Sequence, residues 1–323
     1  MNKNPVIAVT GAEGPDDVPG LSDLLQELDV RFATDESPLP DVIEGADVLL
    51  GWDFKSGELE TAWHNADRLQ WIFWPGAGVD SLLFPGLIES DVDVTNSRGI
   101  FDRSMAEYVL GLIIAFGKDF PGTIRRQDQH VWQHRHSDQL LGKEVLIVGV
   151  GSIGREIARV LRAFGLNVSG VGRRHREDPD FGVIHAASDL DGRLGESDYV
   201  VVICPSTPET RGMIGKAQFE AMKNSARLIN MARGEILDED ALIAALRDGT
   251  IAGAALDVFT REPLPQESPL WDMDNVIVSP HMSGDFHEHG EVVAAGFFEN
   301  LRRFRNGEPM LNVIDKKAGF ARA

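Results

Sequence analysis

Gly149, Gly151 and Gly154 stand in the spacing G-x-G-x-x-G, with Val150, Ser152 and Ile153 between them. The motif follows an apolar run, Val145–Gly149, and opens an amphipathic stretch, Gly154–Phe164. The bare pattern is weak, but strand before and helix after give it a mechanism. Glycines permit a tight turn and close backbone approach, and a helix N-terminus offers N–H groups and positive dipole to a pyrophosphate. The alternative is a glycine-rich turn without a ligand. The next strand-like run, Val168–Val171, leads into Gly172-Arg173-Arg174-His175-Arg176. A site for NAD usually places Asp or Glu there to bind the ribose hydroxyls. Arginines remove that acid and can pair with a 2′-phosphate, so the residues point to NADP(H) in preference to NAD(H). A solvated basic loop is the alternative.

Other reactive side chains carry less. Cys204 is the single cysteine; it ends an apolar run with no evident base and reads as a small buried residue. His130, His134 and His136 include a helical i, i+4 pair, but no cysteine accompanies them, and a solvated or subunit-contacting arm is the better reading. His287-Glu288-His289 lacks zincin spacing. No metal is expected.

These residues need a frame, and the chain supplies an α/β one. Short β-branched runs alternate with amphipathic stretches throughout. Strands are expected at Val6–Thr10, Val48–Gly51, Leu69–Trp74 and Val92–Thr95, then at Val145–Gly149, Val168–Val171, Tyr199–Ile203, Arg227–Asn230, Ala252–Leu256 and Val276–Ser279. The later runs are nearly continuous in apolar residues, as in a parallel sheet covered on both faces. Helices are expected around Leu21–Leu28, Gly57–Ala66, Arg103–Gly117, Gly154–Phe164, Asp238–Leu246 and Glu288–Phe304, whereas 119–139 reads as a polar arm.

The chain has 323 residues, 43% apolar and 25% charged, with a formal net charge of -20. At roughly 100–200 residues per domain this predicts two domains. The charge argues against nucleic acid and against an anionic membrane surface. The longest apolar run, Val109 to Phe116, is far shorter than the roughly 20 residues of a span. One cysteine and no secretory signal predict a cytoplasmic protein.

Four further blocks, in order along nearly the whole chain, resemble the D-isomer-specific 2-hydroxyacid dehydrogenase family. Pro75-Gly76-Ala77-Gly78-Val79-Asp80 looks like its substrate-carboxylate loop. The stretch from Met222 to Glu235 looks like its arginine segment. Ala255–Phe259 with Glu262-Pro263-Leu264-Pro265 and Ser268–Trp271 resembles its glutamate block, and Ser279-Pro280-His281-Met282-Ser283-Gly284 its histidine block.

The resemblance implies two Rossmann-like domains with doubly wound parallel sheets and an active-site cleft between them. Residues 1–100 and 285–323 would bind substrate and 101–284 NADP(H), with crossings near Gly99–Phe101 and Ser283–Asp285. His281 would donate a proton, Glu262 would orient it and raise its pKa, and Arg233 would hold the carboxylate and carbonyl oxygens of a 2-oxoacid. Ala77 and Gly78 would complete the carboxylate site through their N–H groups. Trp52 and Phe54 follow a strand end and are candidates for the pocket's apolar wall. Ser152 and Ile153 would serve the pyrophosphate, and Arg173 and Arg174 the 2′-phosphate. Cys204 would line the adenosine side. Met231 and Arg233 would lie by the nicotinamide ribose, Asp257 by the carboxamide, and Gly284 beside His281. The arm 119–139 implies a homodimer. The expected activity is 2-oxoacid reduction of the glyoxylate/hydroxypyruvate type. A dinucleotide-sensing corepressor-like binding protein is the rival; a formate dehydrogenase is disfavoured because that group has glutamine where this chain has Glu262.

Overall fold

The computed structural model describes residues 4–53 and 57–321. The chain divides into two compact units, one running to Phe101 and resuming at Phe286, the other spanning Asp102–Asp285.

The first unit is built on a parallel sheet of β1 (Ile7–Thr10), β2 (Val30–Phe32), β3 (Val48–Gly51), β4 (Trp71–Trp74) and β5 (Asp93–Asn96), in the order β2-β1-β3-β4-β5. Every residue of β3 and β4 is buried, as strands covered on both faces require. The C-terminal helix His289–Asn306 belongs to this unit, because Phe297 stacks on Trp71 at 5.5 Å between ring centroids. Trp71 satisfies its indole N–H on Thr95 Oγ1 at 2.9 Å, so the bulky ring is buried without an orphan donor.

The second unit holds β6 (Glu144–Val148), β7 (Asn167–Gly172), β8 (Arg176–Asp178), β9 (Gly182–Ala186), β10 (Tyr199–Val202), β11 (Arg227–Asn230), β12 (Gly253–Leu256) and β13 (Val276–Val278). Their order is β13-β12-β11-β10-β6-β7-β9-β8, parallel except for β8 at the edge. The winding reverses between β6 and β10, the switch point where open α/β sheets leave a crevice at their carboxyl ends. Helix Ser152–Ala163 follows β6; Gly165, at φ +95°, turns the chain away after it. The fold is α/β with two Rossmann-like units.

Three local expectations are corrected. Leu21–Leu28 forms a 3₁₀ helix over Leu21–Gln26, of which only Leu21 is buried, so no apolar stripe holds a longer α-helix. The helix expected over Gly57–Ala66 is α-helical to Ala62 and 3₁₀ over Trp63–Asn65. The polar arm contains a helix, Phe120–Asp128, set by its cap rather than by periodicity: Asp119 accepts from the N–H of Gly122 at 3.1 Å and from Arg135 Nε at 2.6 Å. Phe54 lies outside the described residues. Among the described residues no helix is long and apolar enough to cross a membrane.

Candidate active site

The loop after β6 is shaped by what its glycines lack. A Cβ on Gly149 would stand 2.5 Å from the backbone N of Cys204, and φ there is +119°, so only glycine lets this turn lie against the end of β10. A Cβ on Gly154 would meet the carbonyl O of Gly149 at 2.1 Å, which fixes the helix tightly against the turn. Gly151 is the opposite case, with nothing within 4 Å of its Cβ position. It is also the N-cap of helix Ser152–Ala163 and gives no side-chain cap. There is thus open space at the Gly151 Cβ position beside this helix N-terminus, and Gly151, Ser152 and Ile153 fit a pyrophosphate. Arg173 and Arg174 follow β7 directly, and both are exposed.

Arg233, Glu262 and His281 follow β11, β12 and β13. Asn230, fully buried at the end of β11, donates to the carbonyl O of Arg233 at 3.0 Å and accepts from the N–H of Ala232 at 3.1 Å. That sets the bend from which Arg233 emerges half-buried, its Nη1 2.7 Å from the carbonyl O of Ala232. A Cβ on Gly234 would lie 1.9 Å from the carbonyl carbon of Phe259, so this loop and the next share backbone contact. From there the N–H of Phe259 donates to Glu262 Oε1 at 2.9 Å. The other oxygen, Oε2, stands 2.7 Å from His281 Nδ1.

This pair shifts both groups. The hydrogen bond and charge of Glu262 hold the His281 pKa above its ordinary value, against burial and the nearby Arg233 charge. Burial pushes Glu262 up, but the bonds from His281 and Phe259 outweigh it and leave its carboxyl below the ordinary range. His281 itself has φ +54°, a left-handed conformation uncommon for a side-chain-bearing residue.

Asp257 is only 1% exposed and lies beneath the histidine loop. Its Oδ1 accepts from Ser279 Oγ at 2.6 Å and from the N–H of Met282 at 3.0 Å, and its Oδ2 from the N–H of Ser283 at 2.9 Å. Burial raises its pKa, and these donors more than reverse the effect. Both oxygens thus accept from the histidine loop, which gives Asp257 a part in holding His281. Met231 is buried, and Gly284 is half-buried after Ser283. Cys204 is buried, and burial pushes its thiol up to about 11, which removes it as a nucleophile at neutral pH.

In the first unit, Ala77 and Gly78 lie in the loop after β4. The carbonyl O of Ala77 accepts from Asn96 Nδ2 at 2.5 Å, that of Gly78 from Trp74 Nε1 at 2.9 Å, and that of Gly76 from the N–H of Ser97 at 3.3 Å. With three successive carbonyls tied down, the N–H groups of Ala77 and Gly78 have no partner among the described residues. Trp52 is half-buried after β3, its N–H on the carbonyl O of Thr10 at 2.8 Å. Asn230 and the two serines on Asp257 escaped sequence reasoning. The available signal was a polar residue closing an apolar strand, as in Arg227-Leu228-Ile229-Asn230.

Residues 110–283 match the family model described as D-isomer specific 2-hydroxyacid dehydrogenase, NAD binding domain. The chain is 30% identical over 311 residues to a glyoxylate reductase of Korarchaeum cryptofilum, covering 92% of this chain and 93% of that protein. It is 31% identical over 294 residues to a D-3-phosphoglycerate dehydrogenase of Methanocaldococcus jannaschii, covering 90% of this chain but only 55% of that longer protein. Among solved structures, an NADPH-dependent glyoxylate/hydroxypyruvate reductase from Sinorhizobium meliloti, in complex with NADP and sulfate, superposes with a TM-score of 0.85 at 30% identity, covering 98% of this chain and all of that one. With the arginine, glutamate and histidine at three successive strand ends, these likenesses agree: the chain belongs to the D-isomer specific 2-hydroxyacid dehydrogenase family.

Proposed function

We propose that the protein is an NADP(H)-preferring reductase of small 2-oxoacids, of the glyoxylate/hydroxypyruvate class, in which 102–285 binds the cofactor and the remainder contributes the substrate-carboxylate loop. The observation that carries the reading is the 2.7 Å pair between His281 Nδ1 and Glu262 Oε2, with the Arg233 charge close enough to oppose the histidine's.

Bound NADPH would supply the hydride for C2 of the substrate. Gly149, Gly151, Ser152, Ile153 and Gly154 would hold the pyrophosphate, Arg173 and Arg174 the 2′-phosphate. Because Glu262 engages Nδ1, the proton of His281 that can leave is the one on Nε2. His281 delivers it to the oxygen that gains charge as the carbonyl is reduced, and itself becomes neutral. Arg233 neutralises the substrate carboxylate and stabilises the same oxygen, with the N–H groups of Ala77 and Gly78 completing the carboxylate site. The raised His281 pKa supports the reductive direction, since reduction consumes the proton that His281 holds. The arm at 119–139 supports a homodimer: Trp132 is fully exposed, and Phe120, Ile124, Val131 and Leu141 present further apolar surface that a second copy would cover. The lone, buried Cys204 suits a cytoplasmic setting.

The test follows NADPH absorbance with glyoxylate and hydroxypyruvate. His281→Ala is expected to lower kcat by roughly 10²–10⁴-fold while NADPH still binds. Near-normal turnover in the variant refutes the proton-donor role. A wild-type protein that binds NADPH and reduces no 2-oxoacid would instead favour the corepressor-like reading.

A further inference from the structure

We propose that His175, His185 and Asp189 form a binding site for a first-row divalent cation of the Zn²⁺ class at the edge of the eight-stranded sheet. Among the described residues these are the three whose ligand atoms gather, all lying within 4.8 Å of one another. His130, His134 and His136 do not join such a group, although His134 and His136 approach each other edge-to-face at 5.4 Å between centroids.

The backbone brings the three together. β8 and β9 pair antiparallel with Arg176 opposite Ile184, and one further step along that register sets His175 across from His185. Their ring centroids are 5.9 Å apart. Asp189 arrives from the same side at the end of the 3₁₀ turn Ala187–Asp189 that follows β9. His185 is half-buried on its strand, while His175 and Asp189 are exposed. Ligands of a tetrahedral ion at ordinary Zn–N and Zn–O lengths stand roughly 3.3 Å apart. Closing the set therefore requires only that the two exposed side chains turn inward about the fixed one.

The donor set selects the ion. Two imidazoles and one carboxylate suit zinc and its neighbours in the first row, whereas magnesium and calcium call for oxygen ligands throughout. Ser188 Oγ donates to Asp189 Oδ1 at 3.3 Å, a support for the carboxylate. Arg173, Arg174 and Arg176 oppose a cation, while the Arg193 charge is met by Glu196 at 2.6 Å. Three protein ligands leave one coordination position to water. A cation here would clip the turn that carries Arg173 and Arg174 to β9, but its binding does not depend on what those arginines hold.

Tag-free, chelator-treated full-length protein, without dinucleotide, is titrated with Co²⁺ alone, followed by visible absorption, and the bound ion is then displaced with Zn²⁺. One equivalent is expected, weakened at least tenfold by His175→Gln and by Asp189→Asn, both at exposed positions, and unaffected by His134→Ala with His136→Ala. His185→Gln, at the half-buried ligand, should abolish it. Absence of a stoichiometric spectrum in the wild type, survival of binding in both His175→Gln and Asp189→Asn, or loss only in the His134/His136 variant overturns the proposal.

Discussion

Replacing Glu262 by Gln removes one charge from the centre of the proposed mechanism and almost no volume. Oε1 of Glu262 is committed to the N–H of Phe259 at 2.9 Å. In Glu262→Gln the amide oxygen keeps that bond, and the NH₂ group turns to His281 Nδ1, where it donates to a neutral ring and repels a protonated one. Two unit charges roughly 4 Å apart attract by about 4 kcal/mol at a protein surface and about 1 kcal/mol in water. The two side chains are 48% and 36% exposed, so screening places the lost attraction at about 1–2 kcal/mol. That is roughly one pH unit. His281 has its pKa raised, so the imidazolium is present below that value and lost as pH rises through it. Reduction should follow the imidazolium and fall across that limb; oxidation of the hydroxyacid, which needs the neutral ring, should rise there. In Glu262→Gln the falling limb should move down by about one unit, and kcat at pH 7 should drop accordingly. The assay is kcat for glyoxylate reduction at saturating NADPH across pH 5–9. A variant whose limb stays at the wild-type position refutes the coupling, whatever its kcat.

Two further outcomes follow from the surface. Arg173→Ala with Arg174→Ala removes up to two charge-assisted bonds to the 2′-phosphate, each worth about 1.5–3 kcal/mol. NADPH affinity should fall by at least tenfold with NADH nearly unchanged, read by titration of nicotinamide fluorescence; equal losses for both would end the 2′-phosphate assignment. Trp132, fully exposed on the arm, should lie under a second copy. Trp132→Ala should shift light-scattering mass toward the monomer at low concentration, and a wild type that is monomeric at high concentration refutes the pairing.

What the sequence made legible follows burial. Val48–Gly51 and Arg227–Asn230 lie where their apolar runs end, and the other central strands differ by one or two residues, because a strand covered on both faces advertises itself. Strands with little buried apolar sequence do not. Val30–Phe32 and Arg176–Asp178 are three-residue strands at sheet edges, and Gly182–Ala186 buries only Ile184, so none of them stands out as an apolar run. The proposed metal-ligating set was hidden for the same reason, since the register between β8 at the edge and its neighbour β9 brings His175 to His185. Arg233, Glu262 and His281 were visible as polar residues after apolar runs. The second tier was not, because nothing in one sequence says that Asp257 reaches past twenty residues of chain to the histidine loop.

That second tier explains how three loops from three strands can hold one geometry. His281 sits at φ +54°, a conformation that costs on the order of 1–3 kcal/mol and persists only where the surroundings impose it. Asp257 imposes it from below, taking Ser279 on one side of His281 and the N–H groups of Met282 and Ser283 on the other. Glu262 fixes the ring from the side, and is itself fixed by Phe259, whose carbonyl carbon leaves no room for a Cβ on Gly234. Gly234 in turn follows Arg233, whose carbonyl is held by the fully buried Asn230. The contact of Gly234 with Phe259, the Glu262–His281 pair and the bonds of Asp257 each join the carboxyl end of one parallel strand to that of its neighbour. The positive φ of His281, the buried charge of Asp257 and the bare backbone at Gly234 are each unfavourable alone. Their arrangement in one continuous chain of contacts is what a preorganised proton donor and cation require.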